Sequence, residues 1–358
     1  MQWHRNGDRG ISDLVARRES ATCSRGIALP GSPPLQEADG TSGVTFASTG
    51  AWEPSALTKT LVTGSGGFLG RHLIEGLRNE GVQAMEIKNR SDCDLRRSRP
   101  VLERVHKLRP KYIVHLAASP DTKGSLISPS NGFFNTIACT LNLVRAARKT
   151  GTQLLVNVGS YKQYGCCANP FRESQRVRPR SAYALAKQLS ESFLLASQTP
   201  TFRVVCLRLG PLFGPHQHPR YLVAHAITSL LADKTRCLTA STVRWDALYV
   251  QDAVNAILRA LATASAAGQV INVSGGIART PYDIMCIIAE LLRVKANITK
   301  AHAQHGDWHC FGSIQRAQRL LKWNPSVPLE SGLRLTIQSY ERLANNIGLT
   351  HGSIRCAP

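Results

Sequence analysis

The 358-residue chain has no run of 18 apolar residues, so no membrane span is expected. Its start, Met1-Gln-Trp-His-Arg-Asn, has no apolar stretch behind it, which argues against a secretory signal. The two absences predict a cytoplasmic protein. Ten cysteines occur, but none stands in a C-x-x-C pair or at a Cys/His spacing that suggests zinc, so no metal site is expected. Cys166 and Cys167 are adjacent, an awkward arrangement for a mutual disulfide, and reduced thiols are the expected state. No internal repeat recurs, which excludes solenoids and propellers.

Acids are scarce. The 23 Asp and Glu face 44 Lys and Arg, leaving a net charge of +21. The first 58 residues hold five Arg and six acids, so the excess lies in the remainder, spread along it. No helix-turn-helix pattern or aromatic–basic interleaving accompanies it, and nucleic acid is not the expected ligand. A diffuse excess fits an anionic, diphosphate-bearing ligand, and it equally fits background composition.

Residues 1–58 are rich in Gly, Ser, Pro and Arg and read as a disordered extension. Order begins at Lys59. Thr60-Leu-Val-Thr63 reads as a buried strand, followed by a helix with Leu69, Leu73 and Leu77 on one stripe. Strands are expected at 82–87, 112–116, 154–158 and 202–207. Helices are expected at 101–108, 135–149 and from Tyr183 to Ala196. This alternation predicts an α/β fold, a doubly wound parallel sheet of the Rossmann type. Beyond Gly214-Pro215 the rhythm changes, with helices expected at 221–232, 248–261 and 281–292 and a strand at 270–273. The expected organisation is a nucleotide-binding domain over 59–214, a smaller C-terminal substrate-binding lobe over most of 215–345, and a tail over 346–358. Some pieces of the lobe are allowed to return to the main sheet.

Thr63-Gly64-x-x-Gly67-Phe68-Leu69-Gly70 follows a strand and opens a helix, the context in which a glycine pattern signals a dinucleotide. Glycines permit a tight turn, and the helix N-terminus receives a pyrophosphate. The residue that selects the cofactor stands at the end of the next strand, here Lys88 in Ile87-Lys88-Asn89-Arg90. Two cations there favour the 2′-phosphate of NADP over the free hydroxyl of NAD. Glu86 would serve NAD only in a shifted register. Asp94-Leu95 falls where an adenine-contacting loop is expected, and His115-Leu116-Ala117-Ala118 ends a strand beside the pyrophosphate.

Tyr183 and Lys187 stand four residues apart, 119 and 123 residues downstream of Gly64. On a helix that spacing puts both on one face. An isolated phenol has a pKa of about 10, and a neighbouring ammonium is expected to lower it, giving a pair that passes a proton to or from an alcohol or ketone oxygen.

With these residues named, the chain resembles the extended short-chain dehydrogenase/reductase family, the NAD(P)-dependent epimerase/dehydratases of nucleotide sugars. The resemblance runs from about Lys59 to Arg342. Beyond the motifs above it takes in Asn135, Gly159-Ser160 with Tyr164-Gly165, Glu191, Arg208 with Gly214-Pro215, Arg244 with Tyr249-Val-x-Asp252, and Leu321-Lys-Trp-x-Pro325. It implies that Ser160 bonds the reacting sugar oxygen, that Lys187 lowers the Tyr183 pKa and holds the nicotinamide ribose, and that Arg244, with Arg220 second, meets the substrate diphosphate. It implies a homodimer built on the helices near Asn135 and Tyr183.

The 4,6-dehydratases that this family includes carry Asp-Glu after the catalytic hydroxyl residue. Here those positions are Tyr161 and Lys162, which disfavours dehydration. Asn89-Arg90-Ser91 and Gly214-Pro-His-Gln217 are similar to patterns of nucleotide-diphospho-4-keto-6-deoxyhexose reductases. The expected activity is therefore NADPH-dependent reduction of such a ketone. The alternative is a nucleotide-sugar 4-epimerase with bound NAD. A sensor without catalysis is a poorer fit to an intact Ser160, Tyr183 and Lys187. One departure is Gly210, where the family often has Asn.

Overall fold

The computed structural model describes residues 59–119, 126–233, 237–301 and 309–346, all within one compact unit spanning residues 50–358. The extension expected over 1–58 lies outside the described residues, as does nearly all of the expected tail. The first half alternates strictly: β1 (Thr60–Thr63), α1 (Phe68–Asn79), β2 (Met85–Ile87), α2 (Ser98–Leu108), β3 (Tyr112–His115), α3 (Asn131–Lys149), β4 (Leu154–Ser160), α4 (Ala182–Ala196) and β5 (Arg203–Leu209). Then follow β6 (Leu212–Phe213), α5 (Leu222–Ala232), β7 (Cys237–Ser241), β8 (Leu248–Tyr249), α6 (Val250–Ala262), β9 (Val270–Val273), α7 (Pro281–Leu291), β10 (Asn297–Ala301), α8 (Gln315–Leu321) and α9 (Leu329–Asn346).

Six strands form one parallel sheet in the order β2-β1-β3-β4-β5-β9. Its strands are apolar on both faces, as a sheet covered on both sides requires. Val62, Val114, Val156 and Val205 face Leu73 and Leu77 of α1 and Val254 and Ile257 of α6. Leu61, Ile113, Leu155 and Val204 face Val101 and Val105 of α2, Leu143 of α3 and Leu194 of α4. The sheet is doubly wound, with β9, from beyond residue 214, at its edge. A separate apolar cluster joins α5, α7 and α9 to β7, next to the two-stranded pair β7–β10.

Several boundaries differ from the sequence reading: α2 begins at Ser98, α3 at Asn131, and β4 and β5 run two residues past their expected ends, while two other shifts change the pairing. The strand expected from Val82 begins at Met85, because the Val82 amide donates to the Leu77 carbonyl and closes the end of α1. The helix expected from Leu248 begins at Val250. Leu248 and Tyr249 pair with Leu212 and Phe213 instead, an outcome that an apolar run leaves open.

Candidate active site

The chain order reverses at β1, with β2 on one side and β3 on the other, and the ends of these strands open a crevice. Gly64 leaves β1 with φ of +74°, and a Cβ there would stand 2.8 Å from the Ala117 amide nitrogen. Only glycine lets the two loops approach this closely. The Gly64 amide donates to the Ile87 carbonyl at 2.8 Å, which fixes the turn against the end of β2.

The crevice is a cavity of about 790 Å³. Gly64, Gly67 and Phe68 line it from the turn, and Lys88 and Arg90 from the segment after β2. Asp94 and Leu95, then Leu116, Ala117 and Ala118, then Asn135 of α3 complete the wall expected from the sequence. Leu69 and Gly70 are not part of it. Leu69 packs on the core, and Gly70 is buried inside α1. Glu86 keeps its register opposite Val62 and stays off the wall, whereas Lys88 directly follows β2.

Sequence reasoning missed Arg71 and Arg96 and, apart from Arg220, did not place the loop from His216 to Tyr221 in this wall. Arg71 directly follows Gly70, a signal that was available. The loop comes from distant sequence, held by His72 of α1, whose ring nitrogen bonds the Pro215 carbonyl at 3.0 Å. Among the described residues, Arg71, Lys88, Arg90, Arg96 and Arg220 line the cavity, against Asp94 as the one acid. Arg96 bonds Asp94 at 2.7 Å and holds its carboxyl down at about 2. The cradle is thus glycine-floored, positively charged and large enough for a dinucleotide, so the residues fit the cofactor that the motif implies.

Beyond Tyr221 lie Ser160, Tyr183 and Lys187, outside the cavity wall but close to one another. Ser181 caps α4, its hydroxyl accepting from the Ala184 amide at 3.2 Å, which seats Tyr183 in the first turn. Burial pushes the Tyr183 phenol up to about 12, Tyr221 adds to the rise, and a hydrogen bond from Ser160 opposes it. The depression expected from Lys187 is not found. The Lys187 ammonium donates to the Val158 carbonyl at 2.7 Å, and burial lowers its own pKa to about 8.

Ser160 ends β4. Its amide donates to Gln163 Oε1 at 2.8 Å, and its hydroxyl accepts from the Lys162 amide at 3.3 Å. Gln163 Nε2 donates in turn to Glu191 at 3.1 Å, and Glu191 takes two bonds from Arg208, at 3.0 and 2.5 Å. This buried chain ties the end of β4 to α4 and β5.

Tyr161 and Lys162 part company. Tyr161 is core, its hydroxyl donating to Ser274 Oγ at 2.9 Å. Lys162 is exposed, with Nζ 5.9 Å from the centre of the Tyr183 ring. Gly210 also has a packing reason, since a Cβ there would lie 2.8 Å from the Asp246 carbonyl, leaving no room for Asn. Arg220 lines the cavity, its guanidinium donating to the Tyr221 hydroxyl at 2.9 Å. Arg244 does not line it. Its amide donates to His309 Nδ1 at 2.9 Å, in a segment paired with residues 309–310.

Residues 60–274 match the NAD dependent epimerase/dehydratase family. The chain belongs to that family. It is an NAD(P)-dependent enzyme of the extended short-chain dehydrogenase/reductase type, among epimerases, dehydratases and reductases of nucleotide sugars. It is 25% identical over 325 residues to the dTDP-D-glucose 4,6-dehydratase of Mus musculus, covering 80% of this chain and 90% of that protein. It is 26% identical over 298 residues to the GDP-6-deoxy-D-mannose reductase of Pseudomonas aeruginosa, covering 79% and 97%. Among solved structures, the Thermus thermophilus UDP-glucose 4-epimerase in complex with NAD superposes with a TM-score of 0.70 at 26% identity, covering 79% and 98%.

Proposed function

We propose that the protein reduces the ketone of a nucleotide-diphosphate 4-keto-6-deoxyhexose, with NADPH as reductant. The observation that carries the reading is a neutral, half-buried Tyr183 phenol beside the Ser160 hydroxyl, next to a cation-lined dinucleotide cradle. NADPH would supply the hydride that the ketone carbon receives. As that carbon becomes tetrahedral, its oxygen gains charge and takes the Tyr183 proton, leaving a secondary alcohol. A phenol with a pKa raised to about 12 keeps its proton at neutral pH, so Tyr183 enters the reaction as the acid. Ser160 bonds the same oxygen and limits the charge that builds on it. Lys187, anchored at Val158, sits one helical turn along from Tyr183 to hold the nicotinamide ribose. Arg220 in the cavity wall is a better placed diphosphate ligand than Arg244.

Lys88 and Arg90 support NADPH, because both line the cavity directly after β2, where the ribose 2′-phosphate would lie. Tyr161 supports reduction over dehydration. It is locked in the core, so that position offers no second acid or base. The dimer reading rests on Phe134 of α3 and on Leu189 and Phe193 of α4, apolar side chains that are 58%, 43% and 36% exposed. Light scattering of the purified protein tests it. The free cysteines fit the cytoplasm. Among the described residues no helix is long and apolar enough to cross a membrane.

The deciding experiment follows NADPH absorbance with a panel of nucleotide-diphospho-4-keto-6-deoxyhexoses. Stoichiometric loss of NADPH with one of them is the expected result. Copurified NAD with sugar epimerisation and no net NADPH consumption would replace the reductase with the 4-epimerase.

A further inference from the structure

Tyr183 ends a proton transfer as a phenolate in a site where burial opposes that charge. The cation expected to offset it, Lys187, is bonded to the Val158 carbonyl. Among the described residues, Ser160 from the end of β4, Lys162 from the turn that follows and Tyr221 from the start of α5 act on Tyr183, with Lys187 one turn further along α4. Ser160 and Tyr221 are neutral hydroxyls. Lys162 is the group whose ammonium stands over the ring, 5.9 Å from its centre, at the outer edge of cation–π range. A charge placed there interacts with the neutral ring only through its quadrupole. Once the ring carries delocalised negative charge it interacts by direct Coulomb attraction, so its effect grows as the proton leaves.

Two further observations fix Lys162 in this role. Its backbone amide donates to the Ser160 hydroxyl, so the residue is tied to the group that bonds Tyr183. Among the described residues no carboxylate forms an ion pair with it.

We propose that Lys162 is a positioning residue for proton transfer, a second cation that stabilises the phenolate Tyr183 becomes when it protonates the substrate oxygen. The step balances simply: the O–H bond of Tyr183 breaks, an O–H bond forms on the substrate oxygen, and the charge moves to the phenol under Lys162. The role in turnover rests on the proposed reductase reading; the electrostatic coupling does not.

The test therefore reads the phenol directly, without substrate. Tyr183→3-nitrotyrosine, introduced by codon suppression, gives a more acidic phenol whose ionisation is followed by visible absorbance. In the Lys162→Met background its pKa should rise by about half to one pH unit, the size expected of a partly solvated charge about 6 Å away. Lys162→Arg should restore it. Lys162 is exposed, so neither variant is expected to disturb folding. An unchanged or lowered pKa in Lys162→Met would overturn the proposal. The companion measurement is kcat against pH for wild type and Lys162→Met with natural Tyr183. A lower kcat at unchanged KM, recovered by Lys162→Arg, is expected, and unchanged kcat would remove the role in turnover. If no nucleotide ketosugar is reduced by the wild type while the nitrophenol still responds, the reductase reading fails and the coupling stands.

Discussion

The Lys187 ammonium is bonded to the carbonyl of Val158, at 2.7 Å, and this contact joins the helix carrying Tyr183 to the strand carrying Ser160. Val158 lies two residues before Ser160 on β4, and Lys187 lies one turn after Tyr183 on α4. One hydrogen bond thus fixes the distance between the two hydroxyl residues. The spacing of Tyr183 and Lys187 therefore has a geometric consequence as well as an electrostatic one.

If Tyr183 is the proton donor, Tyr183→Phe keeps the cavity wall and removes the acid. NADPH affinity, measured by fluorescence titration, should be unchanged. Turnover should fall by about 10²- to 10⁴-fold, the usual contribution of a positioned acid. Unchanged turnover would remove Tyr183 from the mechanism.

The glycine turn and the two cations after β2 were legible because each is local. Gly64–Gly70 and Lys88–Arg90 sit within a few residues of strand ends that apolar runs already mark. Ser160, Tyr183 and Lys187 were legible as a spacing, and the fold brings them together. The sign of the Tyr183 shift was not, because it comes from burial in the folded chain, with Tyr221 from distant sequence adding to the rise. The place of Arg244 was hidden for a similar reason, being set by pairing with residues 309–310. Gly210 looked like a loss from a motif, yet it reflects the approach of Asp246, 36 residues away.

Lys88 and Arg90 are both exposed at the cavity rim, so replacing them should cost little stability. In Lys88→Ala/Arg90→Ala the Kd for NADPH should weaken by roughly 10- to 100-fold while that for NADH stays constant, as loss of charged hydrogen bonds to a phosphate predicts. Calorimetric titration with both nucleotides checks this. Equal losses for the two would mean that neither residue meets the 2′-phosphate.

Glu191 and Arg208 form a buried pair whose removal should be felt both in stability and in the placement of Ser160. Glu191→Leu leaves the Arg208 guanidinium buried without its partner and takes one of two anchors from Gln163, which holds the Ser160 amide. Stability should drop by about 3–5 kcal/mol, read from urea unfolding. Glu191→Leu/Arg208→Met should recover part of that loss by removing the stranded charge, and turnover should remain lowered in both because Gln163 keeps only its bond to Gln188.

Lys187 should oppose stability at neutral pH while serving the site. Its folded pKa, about 8, is below the usual lysine value of 10.5, so the unfolded chain binds more protons between those limits. Stability from this group is thus lowest below about pH 8 and rises as pH increases toward 10.5. Lys187→Met removes the cost of burying the charge. At pH 7 it should be more stable than wild type by about 1–3 kcal/mol despite losing the bond to Val158. At pH 10 the difference should shrink toward zero. Urea unfolding at the two pH values checks both the sign and the trend, and a Lys187→Met protein less stable than wild type at pH 7 would contradict them.

His115 should act in the opposite pH range. It is buried between the hydroxyls of Thr63, at 2.8 Å, and Thr140, at 3.1 Å, and burial with the nearby Lys187 charge lowers its pKa to about 3. The folded ring therefore stays neutral where the unfolded ring, with an ordinary pKa of 6.5, takes up a proton. This contribution is complete above pH 6.5 and is lost as pH falls toward 3. It should fall by up to about 1.4 kcal/mol per pH unit in that window. His115→Gln keeps a hydrogen-bonding side chain but cannot titrate. Its stability, measured by urea unfolding from pH 7 to pH 4.5, should decline less steeply than that of wild type, even if it starts lower. Parallel slopes would mean that His115 is not the group through which acid reaches the core beneath the active site.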